Sequence, residues 1–350
     1  MIKYLSENDS LKIKRFYDKA YGQKHILNNP IHHKWQFKKN PLNKLKNKTV
    51  VTFEECDKIY SQMGFIPIEL KVDNSIKTAL WHVSFFTLPS HRGKGIGTKL
   101  VQFTEKQVDY SLVLGGSEGT NKIYEKMGGI NFGNLNRYIA ILNKSNLEKC
   151  LKKKIEEEEV KFETSSLEFY QIKKLDEEYE EFWNKVKKQY PITTNRTKNY
   201  LKWRYFDNPL LNYKIFLLKE KKEIKGLLVL RIEDNNSELK AGRIIDILVY
   251  KKFEKQLLQE IINFCKNKVD ILDFFCTGDF YKNSLLTEKF FNDPNSEQCI
   301  PSLFNPIDFN KFGGINLLFK TNHKNETKQT MNDIKKMYFE KGDSDQDRAN

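Results

Sequence analysis

Two stretches of this chain, well over a hundred residues apart, spell nearly the same pattern. His33-Lys34-Trp35-Gln36-Phe37-Lys38-Lys39-Asn40-Pro41-Leu42 is echoed by Leu201-Lys202-Trp203-Arg204-Tyr205-Phe206-Asp207-Asn208-Pro209-Leu210. Lys-Trp, an aromatic two residues on, and Asn-Pro-Leu recur in register. Further along, Trp81-His82-Val83-Ser84-Phe85-Phe86 pairs with Arg243-Ile244-Ile245-Asp246-Ile247-Leu248, and Val108-Asp109-Tyr110-Ser111-Leu112 with Val269-Asp270-Ile271-Leu272-Asp273. Echoes in the same order mark two copies of one folding unit. A chain of 350 residues leaves each copy large enough to bury its own core.

The elements of one copy follow from its periodicity. A strand over residues 2–5 precedes a helix over 10–21, in which Leu11, Ile13, Phe16 and Tyr17 keep a helical spacing. Strands follow at 49–53 and 65–72, then the very apolar run 80–88, a Gly-rich turn and a helix over 96–107. A short strand at 111–114, a helix at 120–127 and a strand at 138–142 complete the copy. The fold class expected is α/β (α+β), two tandem mixed sheets flanked by helices. The first domain is placed at 1–145 and a charged linker at 146–165, where Lys152-Lys153-Lys154 and Glu156 to Glu159 form a run that no core accepts. The second domain takes 166–350; its copy runs from Ser166 to Thr321, followed by a Lys/Asn-rich stretch, a strand at 336–340 and an Asp-rich end that is either ordered or frayed.

Composition excludes several classes. With 39% hydrophobic residues, 25 Phe and 16 Tyr, the chain is too apolar for disorder. A Glu at position 7 interrupts any signal-peptide core, and no run reaches the length of a membrane span, so the expectation is a soluble cytoplasmic protein. The five cysteines lie apart with no Cys-x-x-Cys pair, which suits reduced thiols. The formal charge of +14 raises the question of nucleic acid, but only Arg15, Arg92, Arg137, Arg196, Arg204, Arg231, Arg243 and Arg348 are arginines. Phosphate and base recognition leans on the Arg fork, and a lysine excess does not point there.

The chemistry lies in Phe85-Phe86-Thr87-Leu88-Pro89-Ser90-His91-Arg92-Gly93-Lys94-Gly95-Ile96-Gly97-Thr98-Lys99-Leu100. An apolar strand runs into a turn with alternating glycines that opens a helix. Such glycines let backbone N–H groups converge on one anion, and the helix start adds unpaired donors and its positive dipole end. Alone, Gly-x-Gly is a weak signal. A dinucleotide fold needs a third glycine and a later acid in a βαβ unit near the chain start, and a phosphate loop ends Gly-Lys-Ser/Thr, neither of which this run supplies. A tight turn without a ligand is the remaining alternative.

Arg92-x-x-Gly95-x-Gly97 after a strand and Pro89 resembles the pyrophosphate-binding motif of the GNAT acyltransferase superfamily, whose members use acetyl-CoA or another acyl-CoA. Asn121-Lys122-Ile123-Tyr124-Glu125-Lys126-Met127-Gly128-Gly129 resembles that family's second motif. The match covers residues 80–140 well and the chain start only loosely. It implies two GNAT-like domains, with the backbone of Thr87 and Leu88 pairing with the pantetheine arm, the amides of Arg92, Gly93, Lys94, Gly95, Ile96, Gly97 and Thr98 cradling the pyrophosphate, and Asn121 touching pantetheine or phosphate. It further implies that Tyr124 protonates the departing thiolate; the plainer reading is a tyrosine that packs on the sheet. For the base, the matching strand offers His82, with Ser84 on the same face by the period of two, and the following loop offers Glu118. His82 is equally readable as a hydrogen-bonded core residue.

The second copy has Lys251-Lys252-Phe253-Glu254-Lys255-Gln256 where the first has its glycines, so it is degenerate and is expected to supply a wall or acceptor pocket rather than bind CoA. Arg204, Asp246 and the terminal Asp343, Asp345 and Asp347 are candidate acceptor contacts, together with Ser84; Trp203 and Tyr205 read better as structural. No metal is called for, since Asp-x-Asp-x-Asp here lacks the Gly and closing Glu of a calcium loop. The resulting expectation is an acyl-CoA-dependent N-acyltransferase acting on a primary amine of a small acceptor, such as an amino sugar or nucleotide-linked amino sugar. The alternatives are a non-catalytic acyl-CoA-binding regulatory module and an acetyltransferase acting on RNA or protein.

Overall fold

The computed structural model describes residues 1–43, 48–106, 108–163, 167–234, 238–302, 308–310, 313–322 and 331–348. The expected helix end at Gln107, the start of the second copy at Ser166 and the Lys/Asn-rich stretch at 323–330 lie outside the described residues.

Strands β1 (Ile2–Tyr4), β2 (Val50–Glu55), β3 (Lys58–Val72), β4 (Ser75–Thr87) and β5 (Tyr110–Leu114) follow one another across a first sheet, antiparallel as far as β4 and parallel from β4 to β5. At its far end lies β6 (Ile130–Asn134), but β7 (Asn136–Ile141) leaves for a second sheet. That sheet repeats the plan with β8 (Glu168–Ile172), then, beyond the short β9 (Ile192–Thr194), β10 (Lys214–Glu220), β11 (Glu223–Glu233), β12 (Ala241–Val249), β13 (Ile271–Cys276) and β14 (Phe291–Asn292). The last two strands return to the first sheet: β15 (Asn316–Thr321) lies between β5 and β6, and β16 (Met337–Tyr338) joins β9, which is itself paired to β3. In exchange, β7 fills the corresponding slot between β13 and β14. Each half of the chain therefore completes the other's sheet.

This exchange sets the fold apart from the sequence-contiguous division at 145 and 166. The first sheet needs residues 316–321, and the second needs 136–141. The strand expected at 138–142 corresponds to β7, but its apolar pattern is silent about which sheet's open edge receives it.

Helices cover both faces. α1 (Ser10–Tyr21) buries Ile13, Phe16 and Tyr17, and α2 (Pro30–Lys38) begins at an Asn29 cap with Pro at its first position. α3 (Ile96–Glu105) and α4 (Glu118–Lys126) lie on the other side of the first sheet, where Leu100, Val101 and Tyr124 pack with Leu80 and Val113. In the second half α6 (Glu178–Val186), α7 (Lys198–Leu201) with a π-turn at Lys202–Phe206, α8 (Glu254–Cys265) and α9 (Lys282–Thr287) repeat this order. Between the halves, α5 (Lys144–Leu151) and the segment after it are not the solvated linker that their charge suggests. Leu147, Ile155 and Val160 are buried on the second half, while Glu148 and Glu159 accept from the backbone N–H of Ile155 and Lys144. The charges cap this segment while three apolar residues anchor it. Among the described residues, no helix is long and apolar enough to cross a membrane.

The residues that betrayed the repeat meet where the copies join. The Trp35 indole N–H donates to the carbonyl of Trp203 at 2.9 Å, the Trp203 indole N–H donates to the carbonyl of Trp35 at 3.1 Å, and the rings stack with centroids 5.2 Å apart. Both indoles are buried, so each N–H finds a partner only because the other copy supplies it. We expect a fragment of residues 1–145 expressed alone to lack a cooperative thermal transition, since β5 and β6 lose the strand between them, and to gain one when co-expressed with 146–350. Circular dichroism melting of the two preparations checks this.

Candidate functional site

The site grows from one strand. β4 pairs with β3 along its whole length, but its parallel pairing with β5 covers only Ala79–Trp81. Beyond Trp81 the two strands diverge, and a V opens between the end of β4 and residues 113–116. Near its apex, opposite a register shift in β3, Ser84 adopts φ +52°, a backbone conformation unusual for a non-glycine residue. That kink breaks the period of two. His82 points toward the α3 and α4 side, whereas Ser84 points to the opposite side, so the expectation that they share a face is corrected.

After Thr87 the chain turns into α3. Gly93 and Gly95 have φ +76° and +71° and open space where a Cβ would stand, so these positions require glycine for backbone conformation alone. Gly95 is the N-cap, which leaves the amides of Ile96, Gly97 and Thr98 as the donors of the first helical turn. Gly97 serves a different purpose: a Cβ there would come within 2.8 Å of Ile123 and of Phe85, so this glycine lets α3 seat against β4 and α4. The Arg92 Nε–H donates to the carbonyl of Thr87 at 3.0 Å while its guanidinium covers Phe86, and Lys94 is exposed. Leu88 donates its N–H to Tyr60, back toward β3. The expected cofactor residues from Thr87 to Thr98 thus form one rim leading from the V to the helix mouth. Asn121 stands at its far side, accepting from Asn316 of the exchanged β15 at 3.0 Å.

Inside the V on the helical side, three groups form a closed chain. The Tyr124 hydroxyl is hydrogen-bonded to His82 Nδ1, and His82 Nε2 to Thr104 Oγ1 at 2.8 Å; in the tautomer with hydrogen on Nδ1, Thr104 donates to Nε2, the ring donates to the phenol oxygen, and the Tyr124 proton is left for another acceptor. Burial, with a smaller contribution from Lys320, pushes His82 down to about 3. With both nitrogens engaged and the neutral form enforced, His82 orients Tyr124 and has no capacity to take a proton from an amine. Burial also raises Tyr124 well above the usual phenol range. Such a hydroxyl is suited to hydrogen-bonding a developing thiolate and gives up its proton reluctantly. Glu118 is on the outer surface at the start of α4, paired with Lys122 at 2.5 Å, and is not part of this interior.

On the opposite side of Ser84 the C-terminal end is ordered. Ser84 Oγ donates to Asp345 at 3.1 Å, and the Tyr21 hydroxyl donates to the carbonyl of Ser84 at 2.7 Å. His25 stacks on Tyr21 and lines a surface cleft of about 350 Å³ together with Lys24, Asn28 and Leu210. Leu210 also borders a larger cleft of about 500 Å³ formed by Lys173, Asn208 and Tyr213. Tyr21 and His25 carried no motif by which the sequence could single them out. Two other expected acceptor contacts are spoken for. Arg204, 1% exposed, donates to the carbonyls of Gly342 and Ser344 beside Trp35 and Trp203. Asp246, equally buried, accepts from Arg196 at 3.0 Å and from the Tyr205 hydroxyl at 2.9 Å. Neither has surface left for an acceptor, because a buried charge must be spent on internal partners.

The corresponding V in the second half is filled. Between diverging β12 and β13, Glu340 bridges to Cys276 and accepts from the N–H of Ile247, and the hydroxyls of Tyr338 and Tyr281 both donate to the carbonyl of Ile247. The chain itself occupies the space a pantetheine arm would need, and the following turn at Lys251–Phe253 has no glycine.

Residues 1–128 match the family model described as an acetyltransferase (GNAT) domain. Over these residues the chain is similar to the GNAT acetyltransferase domain. The sequence gives no match among curated proteins. Among solved structures, the chain is similar to a conserved protein from Enterococcus faecalis V583 described as a probable N-acyltransferase, with TM-score 0.60 and 11% identity over 92% of this chain and 72% of that one. A GCN5-related N-acetyltransferase from Anabaena variabilis gives TM-score 0.59 and 13% identity over 79% of this chain, which spans 66% of that protein's length. An N-myristoyltransferase from Saccharomyces cerevisiae, with bound myristoyl-CoA, gives TM-score 0.57 and 10% identity over 92% and 78%. At such identities the likeness is one of fold.

Gly95→Glu, which places a carboxylate at the helix mouth, is expected to abolish heat of CoA binding in calorimetry while leaving the far-ultraviolet dichroism unchanged. Gly97→Ala is expected to cost about 1–3 kcal/mol of stability by overpacking. For His82, the folded form resists protonation to about 3 against 6.5 in the free side chain, so the unfolded chain binds the extra proton and stability falls as pH drops through that window. His82→Gln should remove about 1.4 kcal/mol per pH unit from that slope, measurable by urea unfolding between pH 6.5 and 4.

Proposed function

We propose that the protein transfers an acetyl or other acyl group from acyl-CoA to the primary amine of a small acceptor, with an amino sugar as the favoured class, in the cytoplasm. The observation that carries this reading is the asymmetry between the halves. One V is open and continues into a glycine turn at a helix mouth, while the other is plugged by the chain.

Acyl-CoA lies with its pyrophosphate on the amides from Arg92 to Thr98 and its pantetheine along the open edge of β4 at Thr87, in the gap left by β5, while Leu88, whose N–H is committed to Tyr60 and whose carbonyl is committed to His91, only borders it. That places the thioester near the kink at Ser84, between Tyr124 on one side and Asp345 on the other. Tyr124, held by His82 and Thr104, hydrogen-bonds the departing sulfur. The acceptor amine comes from the opposite side, past Tyr21 and His25, where the clefts at Leu210 have room for a sugar-sized molecule and offer Lys24, Asn28 and Asn208 for hydroxyl contacts. Much of the acceleration comes from holding amine and thioester in line. The second half builds the acceptor wall and binds no CoA of its own.

Release of free CoA from acetyl-CoA, followed with a panel of amino sugars, amino acids and a basic peptide, tests this reading. Turnover is expected with an amino sugar. Tight CoA binding without turnover on any amine would instead favour a regulatory acyl-CoA sensor, and turnover confined to the peptide would favour a protein acceptor.

A further inference from the structure

We propose that Asp345 is the general base of the transfer, carried into the site by a C-terminal strap, residues 340–348, that the second half clamps in place. This rests on the acyl-transfer reading above and assigns the group that receives the amine's proton.

The strap is fixed at three points by buried arginines. Arg196 holds Asp343 at 2.9 Å, Arg204 holds the carbonyls of Gly342 and Ser344, and Arg231 holds Asp347 at 2.5 Å, where the Tyr213 hydroxyl also donates at 2.7 Å. Asp343 and Asp347 thus turn into the second half. Asp345, between them, turns the other way, onto Ser84 at the kink of β4. Its neighbour Gln346 donates to the carbonyl of Leu114 at 3.0 Å, at the end of β5, and fills the space beside Gly115. Residues 345–346 therefore span the two strands where they part, at the level of the proposed thioester.

Asp345 differs from its flanking aspartates in its cation. Theirs are buried guanidiniums with no freedom to leave. Asp345 is paired with Arg348 at 3.7 Å, through a side chain that is 38% exposed. An exposed pair of this length contributes little, so an incoming ammonium can take the guanidinium's place. The groups facing Asp345 are Ser84 from β4, Tyr21 and His25 from α1 and the turn after it, and Gln346 and Arg348 from the strap itself. The other two candidates for the role are on the wrong side or outside: His82 is locked neutral beneath β4, and Glu118 is on the surface.

In the step, the ammonium held at Asp345 loses one proton to water, and the neutral amine attacks the thioester carbonyl carbon to form the C–N bond. The nitrogen, now positively charged, passes its second proton to the Asp345 carboxylate. The C–S bond breaks, and the thiolate leaves with the hydrogen bond of Tyr124 and takes one proton from water to become CoA. Asp345 returns its proton to solvent.

The test uses the full-length protein with acetyl-CoA and hydroxylamine, a small nucleophile that needs no acceptor pocket. Asp345→Asn, which keeps the shape and the hydrogen bond to Ser84, is expected to bind CoA with unchanged heat and to melt at an unchanged temperature, while CoA release falls about 10²-fold or more. Asp345→Ala is expected to fall as far and to recover with added formate, whose carboxylate enters the vacated place; a merely structural aspartate would show no such rescue. Full activity of Asp345→Asn overturns the assignment, as does a loss of CoA binding that parallels the loss of rate. A native protein that does not bind CoA overturns instead the acyl-transfer reading on which the assignment rests.

Discussion

The whole molecule depends on an exchange of one strand between its two copies. β5 and β6 have no partner between them until β15 arrives from the far end of the chain, and β13 and β14 wait in the same way for β7. An unfilled slot in a sheet leaves a double row of backbone N–H and C=O groups unpaired, so neither half is complete before the other has folded. The reciprocal indole bonds of Trp35 and Trp203 fix the axis about which the exchange occurs. Folding of the two copies is thereby made one event, and the geometry between them is set by hydrogen bonds rather than by a hinge.

That rigidity is what permits a site composed from both ends of the chain. A strap of nine residues cannot place a carboxylate by its own conformational preferences. Here its ions are tied to a buried network in which Asp273 binds Arg137 and Arg243, Glu233 binds Arg243 and Arg231, and Arg231 reaches Asp347. Burial alone would raise Asp347, but Arg231 and Lys341 bring it down to about 2, so its charge persists throughout the physiological range. Such networks add little net stability compared with apolar packing, because desolvation offsets attraction. Their worth lies in uniqueness: each partner accepts only one arrangement, and Gly342 and Ser344 are held by their carbonyls as well.

The sequence made the copy number, the order of elements and the glycine turn legible because these are local properties. Gly93 and Gly95 are dictated by backbone conformation within three residues, and the echo around Trp35 and Trp203 needs no partner to be seen. Strand exchange was hidden, since the pattern of Asn136–Ile141 fits either sheet. Arg204 and Asp246 look like acceptor contacts in a linear reading, for charged residues beside aromatics are common in pockets, yet the strap consumes Arg204, and Arg196 with Tyr205 consumes Asp246. Alternation puts His82 and Ser84 on one face, and a single positive φ at Ser84 separates them. In each case the failure occurs where a long-range contact overrides a short-range rule.

The two copies also show how one fold is divided between two tasks. Both carry the divergence of the fourth and fifth strands in their repeat, and in both a part of the C-terminal stretch 338–348 reaches it. In the second half Tyr338 and Glu340 enter the V fully and bond to β12 at Ile247, which closes it. In the first, the strap touches only the apex, through Asp345 and Gln346, and the edge of β4 toward Thr87 is left for another occupant. The difference is one of depth, a few residues of chain. Closing one V anchors the chain that continues into the strap, and that anchorage fixes Asp345 beside Ser84 at the other; the filling of the V in the second half is therefore coupled, through a single segment, to the geometry at the apex of the first.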